Sequence, residues 1–223
     1  MNSTALAIAT ITGVAAYFLL ARQSEAATVN TPESPGESTA VSDFEALAMP
    51  VKTIPANPST NADANRAAFL AMIRQAEGTA NQPNPYAVVY NYAFTIVDFS
   101  DHPGNLGWPG VPLPPETCKN AGLTPPCVST AAGAYQIRKA TWNPIKTRLG
   151  LPDFSPASQD AAALELLADI KALAAIDADD FDTALRLASA LWASLPYSTA
   201  QQGPITVAQA STLYTQAGGT IGA

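Results

Sequence analysis

The residue in this sequence best placed to do chemistry is Glu77, which stands at the end of an apolar helical stripe. Apolar side chains occur at positions 69, 70, 72, 73 and 76, and positions 70, 73 and 77 share one helix face. Gly78 then signals the end of the helix. A carboxyl group at the core-facing end of such a stripe loses water, which favours its neutral form. Glu77 is therefore a candidate general acid near neutral pH; a side chain that turns out to solvent is the alternative interpretation.

Helices predominate among the elements that must position Glu77. Hydrophobic periodicity, N-caps and glycine stops predict helices over 65–77, 139–149, 156–174, 180–194 and 206–217. Residues 86–99 are rich in Val, Tyr, Phe and Ile, which predicts one or two short strands. The predicted fold class is therefore α+β, mainly helical, with one small β region in a domain over 63–223.

Composition narrows the classes of function. The formal net charge of −7 argues against a nucleic-acid partner, because binding to nucleic acid requires a basic face. His102 is the single histidine, so neither a histidine-based metal cluster nor a Ser-His-Asp triad is supported, and no metal or cofactor is predicted. The acidic residues at 177, 179, 180 and 182 suggest helix capping and favourable dipole placement rather than a cation site.

The N-terminal region predicts a location. Residues 5–21 form an uncharged, mostly apolar run at the short end for a membrane span, and their predicted partner is the lipid bilayer. The run is interpreted as a permanent anchor, a cleaved signal peptide or a signal-anchor that later leaves the bilayer. The lack of Lys or Arg before it favours an uncleaved anchor. Residues 1–22 are thus a predicted transmembrane or signal-anchor segment, and residues 23–62, rich in Pro, Ser and Thr, a predicted flexible linker.

Eight short motifs follow one another along the rest of the chain. They are FLAMI (69–73), EGT (77–79), Tyr86, FSDHP (99–103), STAAGAYQ (129–136), LGLPDFSP (149–156), SQD (158–160) and WASLP (192–196). In this order they closely resemble the phage lambda lysozyme (endolysin) family. The resemblance covers about 65–220, which is nearly the whole predicted domain, and leaves the anchor and the linker outside it.

The resemblance implies a lysozyme-like fold in which a helical lobe and a small β lobe flank a glycan cleft. Members of the family cut the β-1,4 bond between N-acetylmuramic acid and N-acetylglucosamine in peptidoglycan, and they leave a 1,6-anhydro ring instead of adding water. Glu77 matches the family's catalytic glutamate, so the implied partner is a peptidoglycan glycan strand. The same side chain would act first as the acid and then as the base toward the C6 hydroxyl of the muramoyl sugar.

Hydrolysis would instead need a second carboxylate, about 5–5.5 Å from the first for retention or about 6.5–9.5 Å for inversion. Asp98 and Asp101 are the candidates, and Asp98 is also a candidate contact to substrate. The alternative is that both carboxylates bond nearby backbone N–H groups, as is typical of turns. A hydrolytic muramidase is therefore the alternative enzyme. A membrane-bound structural or wall-binding virion protein with vestigial activity is the alternative from another class.

A Gly-x-Tyr-Gln element, from Gly133 to Gln136, resembles lysozyme-like transglycosylases and is expected to line the cleft. Gly133 would let the backbone approach a sugar closely. Tyr135 would offer a flat face to a pyranose ring, and Gln136 would exchange hydrogen bonds with N-acetyl or hydroxyl groups. Ser129 and Thr130, just before this element, are predicted substrate contacts as well. The alternative is that the tyrosine belongs to the core and the glutamine faces solvent.

The segment 103–128 carries seven prolines, Trp108 and both cysteines. Cys118 and Cys127 are nine residues apart, which in an exported protein suggests a disulfide that rigidifies the loop. Closing so small a loop stabilises the protein by about 2–3 kcal/mol. We expect a stiff lid over the cleft, with Trp108 stacking on a sugar. A surface elaboration without substrate contact is the alternative.

The sequence therefore predicts a membrane-anchored, phage-type lytic transglycosylase whose catalytic domain faces the bacterial periplasm. Two uses are compatible with this prediction: lysis of the host from its membrane, and action from a virion during entry.

Overall fold

The computed structural model describes residues 61–120, 123–199 and 204–222. The predicted membrane anchor over 1–22 lies outside the described residues, as does the predicted linker over 23–62 apart from its last two positions. Within the described ranges, no helix combines the length and the apolar character needed to cross a bilayer.

Helices make up most of the described part of the chain. The α-helices are α1 Ala62–Ala76, α2 Pro115–Asn120, α3 Lys139–Leu149, α4 Pro156–Asp169, α5 Ala172–Asp177, α6 Phe181–Ala188 and α7 Val207–Gln216, and short 3₁₀ helices cover Thr79–Asn81, Pro85–Ala87 and Tyr90–Tyr92. Local chemistry sets several of the ends. Ser155 accepts a hydrogen bond from the Ser158 N–H and caps α4. Thr206 and Gln209 form a reciprocal capping box at the start of α7.

The segment 86–99 contains isolated antiparallel bridges, Val88 with Thr95 and Val89 with Ala132, and not the continuous strands that were predicted; the two-stranded sheet lies further along the chain. Strand β1 (Val111–Pro112) pairs antiparallel with β2 (Val128–Ser129). Residues 86–99 turn instead, because Asn91 and Tyr92 have φ values of 58° and 52°, which an extended strand does not contain. Composition therefore indicated the bridged residues of this segment correctly but missed the strand pair at 111–112 and 128–129.

Two predicted helices are shorter than expected. The helix predicted over 156–174 is divided into α4 and α5, because Lys171 adopts a left-handed conformation with a φ of 66°. The helix predicted over 180–194 ends at Ala188, and the chain continues in turns. This second correction affects the site, since Ser194 is presented from a turn and not from a helix.

The main core forms around α1. The buried face of this helix carries Phe69, Met72 and Ile73, all of them fully enclosed. The Phe69 ring meets Phe181 of α6 and Tyr214 of α7 edge to face, with centroids 6.3 and 6.1 Å apart. Burying one such side chain contributes about 2–3 kcal/mol. The end of α1 is therefore held at a defined place against the other helices.

A second, smaller cluster supports the proline-rich segment 103–128. Its buried members are Tyr90, Leu113, Cys118 and Ala131. The predicted disulfide between Cys118 and Cys127 is formed. Trp108 packs against this cluster and against the main core, so its ring attaches the segment to the rest of the domain.

Candidate active site

Glu77 lies at the C-terminal end of α1, one residue beyond its last helical position. Its backbone N–H donates to the Ile73 carbonyl at 2.8 Å, so the residue completes the last turn. Gly78 follows with a φ of 74°, the left-handed conformation that ends a helix and favours glycine. The apolar stripe predicted to face the core does so, and the Glu77 side chain is only 5% exposed.

The Glu77 carboxyl group has one partner for two oxygens. Its Oε1 accepts a hydrogen bond from the Ser194 hydroxyl at 2.7 Å. Its Oε2 is buried and contacts no hydrogen-bonding group of the described residues. Burial raises the pKa of Glu77 well above the usual range of a glutamic acid, although the Ser194 hydrogen bond opposes this shift. The group therefore holds a proton under conditions where an exposed glutamate has lost it, as a general acid requires.

Ser194 is the functional residue that reasoning from the sequence missed. It lies 117 positions from Glu77, in the turns after α6, and is itself buried. The Trp192 indole N–H donates to the Tyr135 carbonyl at 3.1 Å, which anchors the same turns. The WASLP motif contained both residues, and a small hydroxyl flanked by apolar side chains was the signal available there.

Tyr135 is a core residue, and its predicted stacking on a sugar is wrong. The side chain is 1% exposed, so neither face of its ring is available to a pyranose. Its hydroxyl accepts from Arg74 at 2.6 Å and donates to the Asp160 carboxylate. Burial and the Asp160 carboxylate raise the pKa of this phenol. The tyrosine acts by holding neighbouring elements together.

Gly133 is required by the protein's own packing, and the predicted approach of a sugar at this position stays a prediction. Its φ is 76°, and a Cβ at this position would lie 2.1 Å from the Gln159 side-chain oxygen. That oxygen accepts from the Ala134 N–H at 2.8 Å. A larger residue here would displace Gln159 and disturb the backbone that leads to Tyr135.

The other predicted contacts of this segment are engaged locally. The Gln136 amide donates to the Gly133 carbonyl at 3.0 Å, and its side chain is buried rather than solvent-facing. Ser129 is buried, and its hydroxyl accepts from the Ala131 N–H at 3.4 Å. The Thr130 hydroxyl accepts from the Lys139 N–H at 3.1 Å, at the start of α3. These bonds shape the backbone beside the site, and substrate contact by Gln136, Ser129 or Thr130 remains a prediction.

A polar network joins α1 to the Tyr135 segment and to α4. Arg74, one turn before Glu77, donates to Tyr135 and lies 4.0 Å from the Asp160 carboxylate. The Tyr86 hydroxyl donates to the same carboxylate at 3.0 Å. The Arg74 guanidinium also lies 5.7 and 5.8 Å from the two tyrosine ring centroids. Three of the eight motifs, Tyr86, STAAGAYQ through Tyr135 and SQD through Asp160, thus meet at one carboxylate beside the site.

The two candidate partner carboxylates are both committed to structure. Asp98 is exposed, and its carboxylate accepts from the Ser100 N–H at 2.8 Å, which is the predicted turn chemistry. Asp101 forms an ion pair with Lys146 at 2.9 Å and accepts from the Trp142 indole N–H at 3.0 Å. Neither of these two carboxylates is hydrogen-bonded to the Glu77 carboxyl group.

His102 also has a structural place. The ring is fully buried; its Nδ1 accepts from the Gly104 N–H, and its Nε2 lies 3.0 Å from the Ile137 carbonyl, to which it donates in that tautomer. Burial lowers the pKa of His102 to about 4, so the ring is neutral at pH 7.

Two exposed aromatic side chains, Tyr92 and Phe94, lie at the end of the short 3₁₀ segments that follow α1, and Tyr92 approaches the end of α1. The Tyr92 side chain is 50% exposed, and its hydroxyl would lie 3.5 Å from a Cβ placed on Gly78. Phe94 is 42% exposed and meets the Trp108 ring edge to face, with centroids 5.4 Å apart. Trp108 is thus partly buried between Phe94 and the two apolar clusters.

The acidic residues at 177–182 act separately. Asp180 caps α6 by accepting from the Thr183 N–H at 3.1 Å, as predicted. Asp177 instead pairs with Arg66 at 2.7 Å, and Asp179 accepts from an Asn65 amide on α1. The predicted capping and dipole placement therefore hold for Asp180 and for Asp182, which lies in the first turn of α6. They are wrong for Asp177 and Asp179, which connect the end of α5 and the turn after it to α1.

These features are those of a glycosidase of the lysozyme type. A glutamic acid that is kept protonated by an apolar site is the acid catalyst such an enzyme needs to protonate a glycosidic oxygen. Here it stands at the end of a core helix in a mainly helical domain with one small sheet.

Comparison with known proteins agrees with this class. The family model described as Endolysin matches residues 67–221. The chain is 34% identical over 163 residues to the endolysin of Escherichia phage lambda, spanning 70% of this chain and 92% of that protein. It is also 34% identical over 170 residues to the endolysin of Escherichia phage P2, spanning 73% and 98%. A solved structure of bacteriophage lambda lysozyme complexed with a chitohexasaccharide matches with a TM-score of 0.59 at 34% identity, covering 71% of this chain and 97% of that one.

The chain therefore belongs to the endolysin family. It has a lambda lysozyme-like fold and is a lysozyme-like glycosidase that acts on peptidoglycan. The family resemblance carried by the eight motifs is confirmed, as is the mainly helical fold with a small sheet.

Proposed function

We propose that this endolysin is a lytic transglycosylase, which cleaves the β-1,4 bond between N-acetylmuramic acid and N-acetylglucosamine and forms 1,6-anhydro-N-acetylmuramic acid. The observation that carries the proposal is that Glu77 stands alone. Among the residues described by the structure it is the one buried carboxyl side chain. A mechanism in which one carboxyl group serves as acid and then as base needs no second acidic residue.

The proton can be followed through both steps. Protonated Glu77 donates to the glycosidic oxygen as the bond from this oxygen to C1 of the muramoyl sugar breaks and an oxocarbenium-like centre develops. The resulting Glu77 carboxylate then takes the proton from the C6 hydroxyl of the same sugar, whose oxygen closes onto C1. The enzyme ends with its proton restored, and no water is consumed.

Ser194 supports the second half of this cycle. Its hydroxyl donates to Oε1 at 2.7 Å, and a hydrogen bond to a carboxylate is stronger than one to a neutral acid. The bond therefore stabilises the carboxylate that must act as the base. Oε2 contacts no hydrogen-bonding group of the described residues, so it is the oxygen not engaged by Ser194.

The surroundings of the two other acids support transglycosylation over hydrolysis. A hydrolytic partner must be available as a nucleophile or to activate water. Asp98 is occupied by a turn on the surface, and Asp101 by Lys146 and Trp142. A hydrolytic muramidase is the outcome that would replace the proposal.

The products of digestion test the reaction. Full-length protein would be incubated with purified peptidoglycan and the muropeptides analysed by mass spectrometry. Muropeptides ending in the 1,6-anhydro sugar are expected, and Asp98→Asn as the matched control should give the same products at the same rate. Reducing-end muropeptides, or loss of activity in Asp98→Asn, would instead support the muramidase. Intact biological function in Glu77→Gln would favour the structural virion protein.

The substrate class rests on the form of the site and on a relative. Lambda lysozyme has been solved with a bound chitohexasaccharide, which is a glycan. Phe94 and Trp108 would supply apolar ring faces for sugars beside the end of α1. Trp108→Phe should keep most of the affinity for glycan, whereas Trp108→Ala should lose it. Equal binding by both variants would assign Trp108 to packing alone.

The proposed location is a membrane tether through residues 5–21, with the catalytic domain in the bacterial periplasm. The apolar run and the polar stretch after it support this proposal. Detection of the intact N-terminus in host membranes, or in purified virions, distinguishes a role in lysis from one in entry. Recovery of an enzyme cleaved after position 26 would overturn the permanent anchor.

A further inference from the structure

Arg138 differs from the other arginines that the structure describes. Arg66, Arg74, Arg148 and Arg186 each lie within 4.0 Å of a carboxylate. In the described part of the chain, the Arg138 guanidinium contacts neither a carboxylate nor any other hydrogen-bond acceptor. Partial burial lowers the pKa of this group below its ordinary value, yet the group stays cationic at any physiological pH. A cation is thus partly withdrawn from water without a partner to compensate it.

Arg138 is one of the residues that line a pocket. Buried Tyr135 and Trp192 and the partly exposed Thr141 and Leu191 are among the other lining residues. The lining contains no acidic residue, so Arg138 is its one charged group. Low-dielectric walls strengthen the attraction between a guanidinium and an anion. The fork of N–H donors matches a carboxylate in two-point contact, and the Thr141 hydroxyl offers a further donor.

This pocket shares its segments with the proton-donating site. Arg138 lies two residues beyond Gln136, at the start of α3. Trp192 donates to the Tyr135 carbonyl across the pocket wall, and two residues later Ser194 donates to Glu77. The pocket and the Glu77 carboxyl group are therefore connected through the turn residues 192–194.

We propose that the Arg138 pocket binds a carboxylate of the peptidoglycan substrate. The carboxylate belongs either to the lactyl group of a muramic acid that has lost its peptide or to the stem peptide itself. The assignment rests on the proposed function of the Glu77 site. It gives the enzyme a means to distinguish peptidoglycan from a neutral glycan such as chitin, which carries no carboxylate.

Binding without turnover tests the assignment. Full-length Glu77→Gln protein, with and without Arg138→Gln, would be titrated with three ligands: peptide-bearing glycan strands, strands stripped of their peptides, and neutral chitohexasaccharide. Loss of the arginine should weaken binding of one or both carboxylate-bearing strands about 10-fold, as expected for a charge-assisted hydrogen bond. Affinity for chitohexasaccharide should not change. Lys171→Gln, which removes a charge at an exposed position, is the matched control and should bind all three ligands normally.

The pattern of loss identifies the source of the carboxylate. If only the stripped strands lose affinity, Arg138 binds the carboxylate of the lactyl group. If only the peptide-bearing strands lose affinity, it binds a carboxylate of the stem peptide. Equal affinities before and after the substitution, or an equal loss for chitohexasaccharide, would overturn the proposal. A second measurement leaves Arg138 in place: strands with amidated carboxyl groups should bind the Glu77→Gln protein more weakly than strands with free ones. Reducing-end products in a digest would overturn transglycosylation and leave these binding results standing.

Discussion

Glu77 is fully buried and Asp101 is partly buried, yet their pKa values are shifted in opposite directions. Glu77 meets one neutral hydroxyl, and burial raises its pKa well above the usual range. At Asp101 burial acts in the same direction, but the Lys146 ammonium and N–H donors from His102 and Trp142 outweigh it and lower the pKa to about 2. Burial alone therefore does not make an acid catalyst. The charge of the neighbours decides whether a carboxyl group becomes a proton donor or a structural anion.

The largest effect is expected from Glu77→Gln. The amide keeps the shape of the side chain but donates no proton, so the rate of glycan cleavage should fall by about 10²–10⁴-fold. The folded state should be retained, because a neutral amide replaces a group that is already neutral. Cleavage would be followed by turbidity of a peptidoglycan suspension and folding by circular dichroism. A variant that keeps more than a tenth of the rate would remove Glu77 from the role of acid.

Asp101→Asn should affect stability and leave chemistry alone. The substitution removes the ion pair with Lys146 and weakens the bonds from the Trp142 and His102 N–H groups. The free energy of unfolding should drop by about 2 kcal/mol, as for hydrogen bonds to a charged group. Urea denaturation measures this drop.

The control for that comparison is Asp98→Asn, whose exposed turn position predicts a change within about 0.5 kcal/mol. Cleavage per folded molecule should match the parent in both variants. Reduced cleavage by folded Asp101→Asn protein would contradict the structural role of Asp101 and make it a second catalytic acid beside Glu77.

The two carboxyl groups should give opposite pH dependences of stability. The folded-state pKa of Glu77 is raised, so its contribution is fully present below the unfolded pKa of about 4.3 and is lost as pH rises through the folded value. The loss is about 1.4 kcal/mol per pH unit in that window. The folded-state pKa of Asp101 is lowered, so its contribution is present above about pH 4 and is lost as pH falls toward about 2.

Unfolding free energies of the parent and of each asparagine or glutamine variant, measured across pH, separate these contributions. The parent should lose stability relative to Glu77→Gln as pH rises, and relative to Asp101→Asn as pH falls. If the difference in unfolding free energy between parent and variant changed with pH in the same direction for both residues, neighbouring charge would not explain the two pKa shifts. Catalysis should follow Glu77, with kcat/KM falling as pH rises through its raised pKa.

The smallest effect is expected from Ser194→Ala. The Ser194 hydrogen bond lowers the pKa of Glu77 against the effect of burial, so its removal should raise that pKa further. The alkaline limb of the kcat/KM profile should move to higher pH, and kcat should fall about 10-fold because the carboxylate loses its donor. Ser189→Ala, which removes a hydroxyl bonded only to a carbonyl one turn away, should leave the profile unchanged. If the alkaline limb of the kcat/KM profile does not move in Ser194→Ala, the Ser194 hydrogen bond does not affect the pKa of Glu77.

Local features of the fold were predictable from the sequence, whereas breaks and pairings were not. The ends of α3 and α7 lie close to prediction, because Gly150 and the cap at Thr206 act through neighbouring residues. The break at Lys171 and the turns over 86–99 were missed, since non-glycine residues adopt positive φ there only under tertiary constraint. The role expected of Tyr135 failed for a related reason: side-chain type alone does not show which neighbours enclose a residue.

The sequence by itself determined that a glutamic acid ends an apolar helix stripe and that eight ordered motifs place the chain among the endolysins. Those properties reside in periodicity and in residue order, which need no coordinates. Only the tertiary structure decided that Ser194 reaches Glu77 across 117 positions, that Asp160 gathers Arg74, Tyr86 and Tyr135, and that Arg138 stays without a carboxylate partner among the described residues. Each of these depends on which distant segments pack together, because a pKa and a hydrogen bond are set by the neighbours that packing supplies.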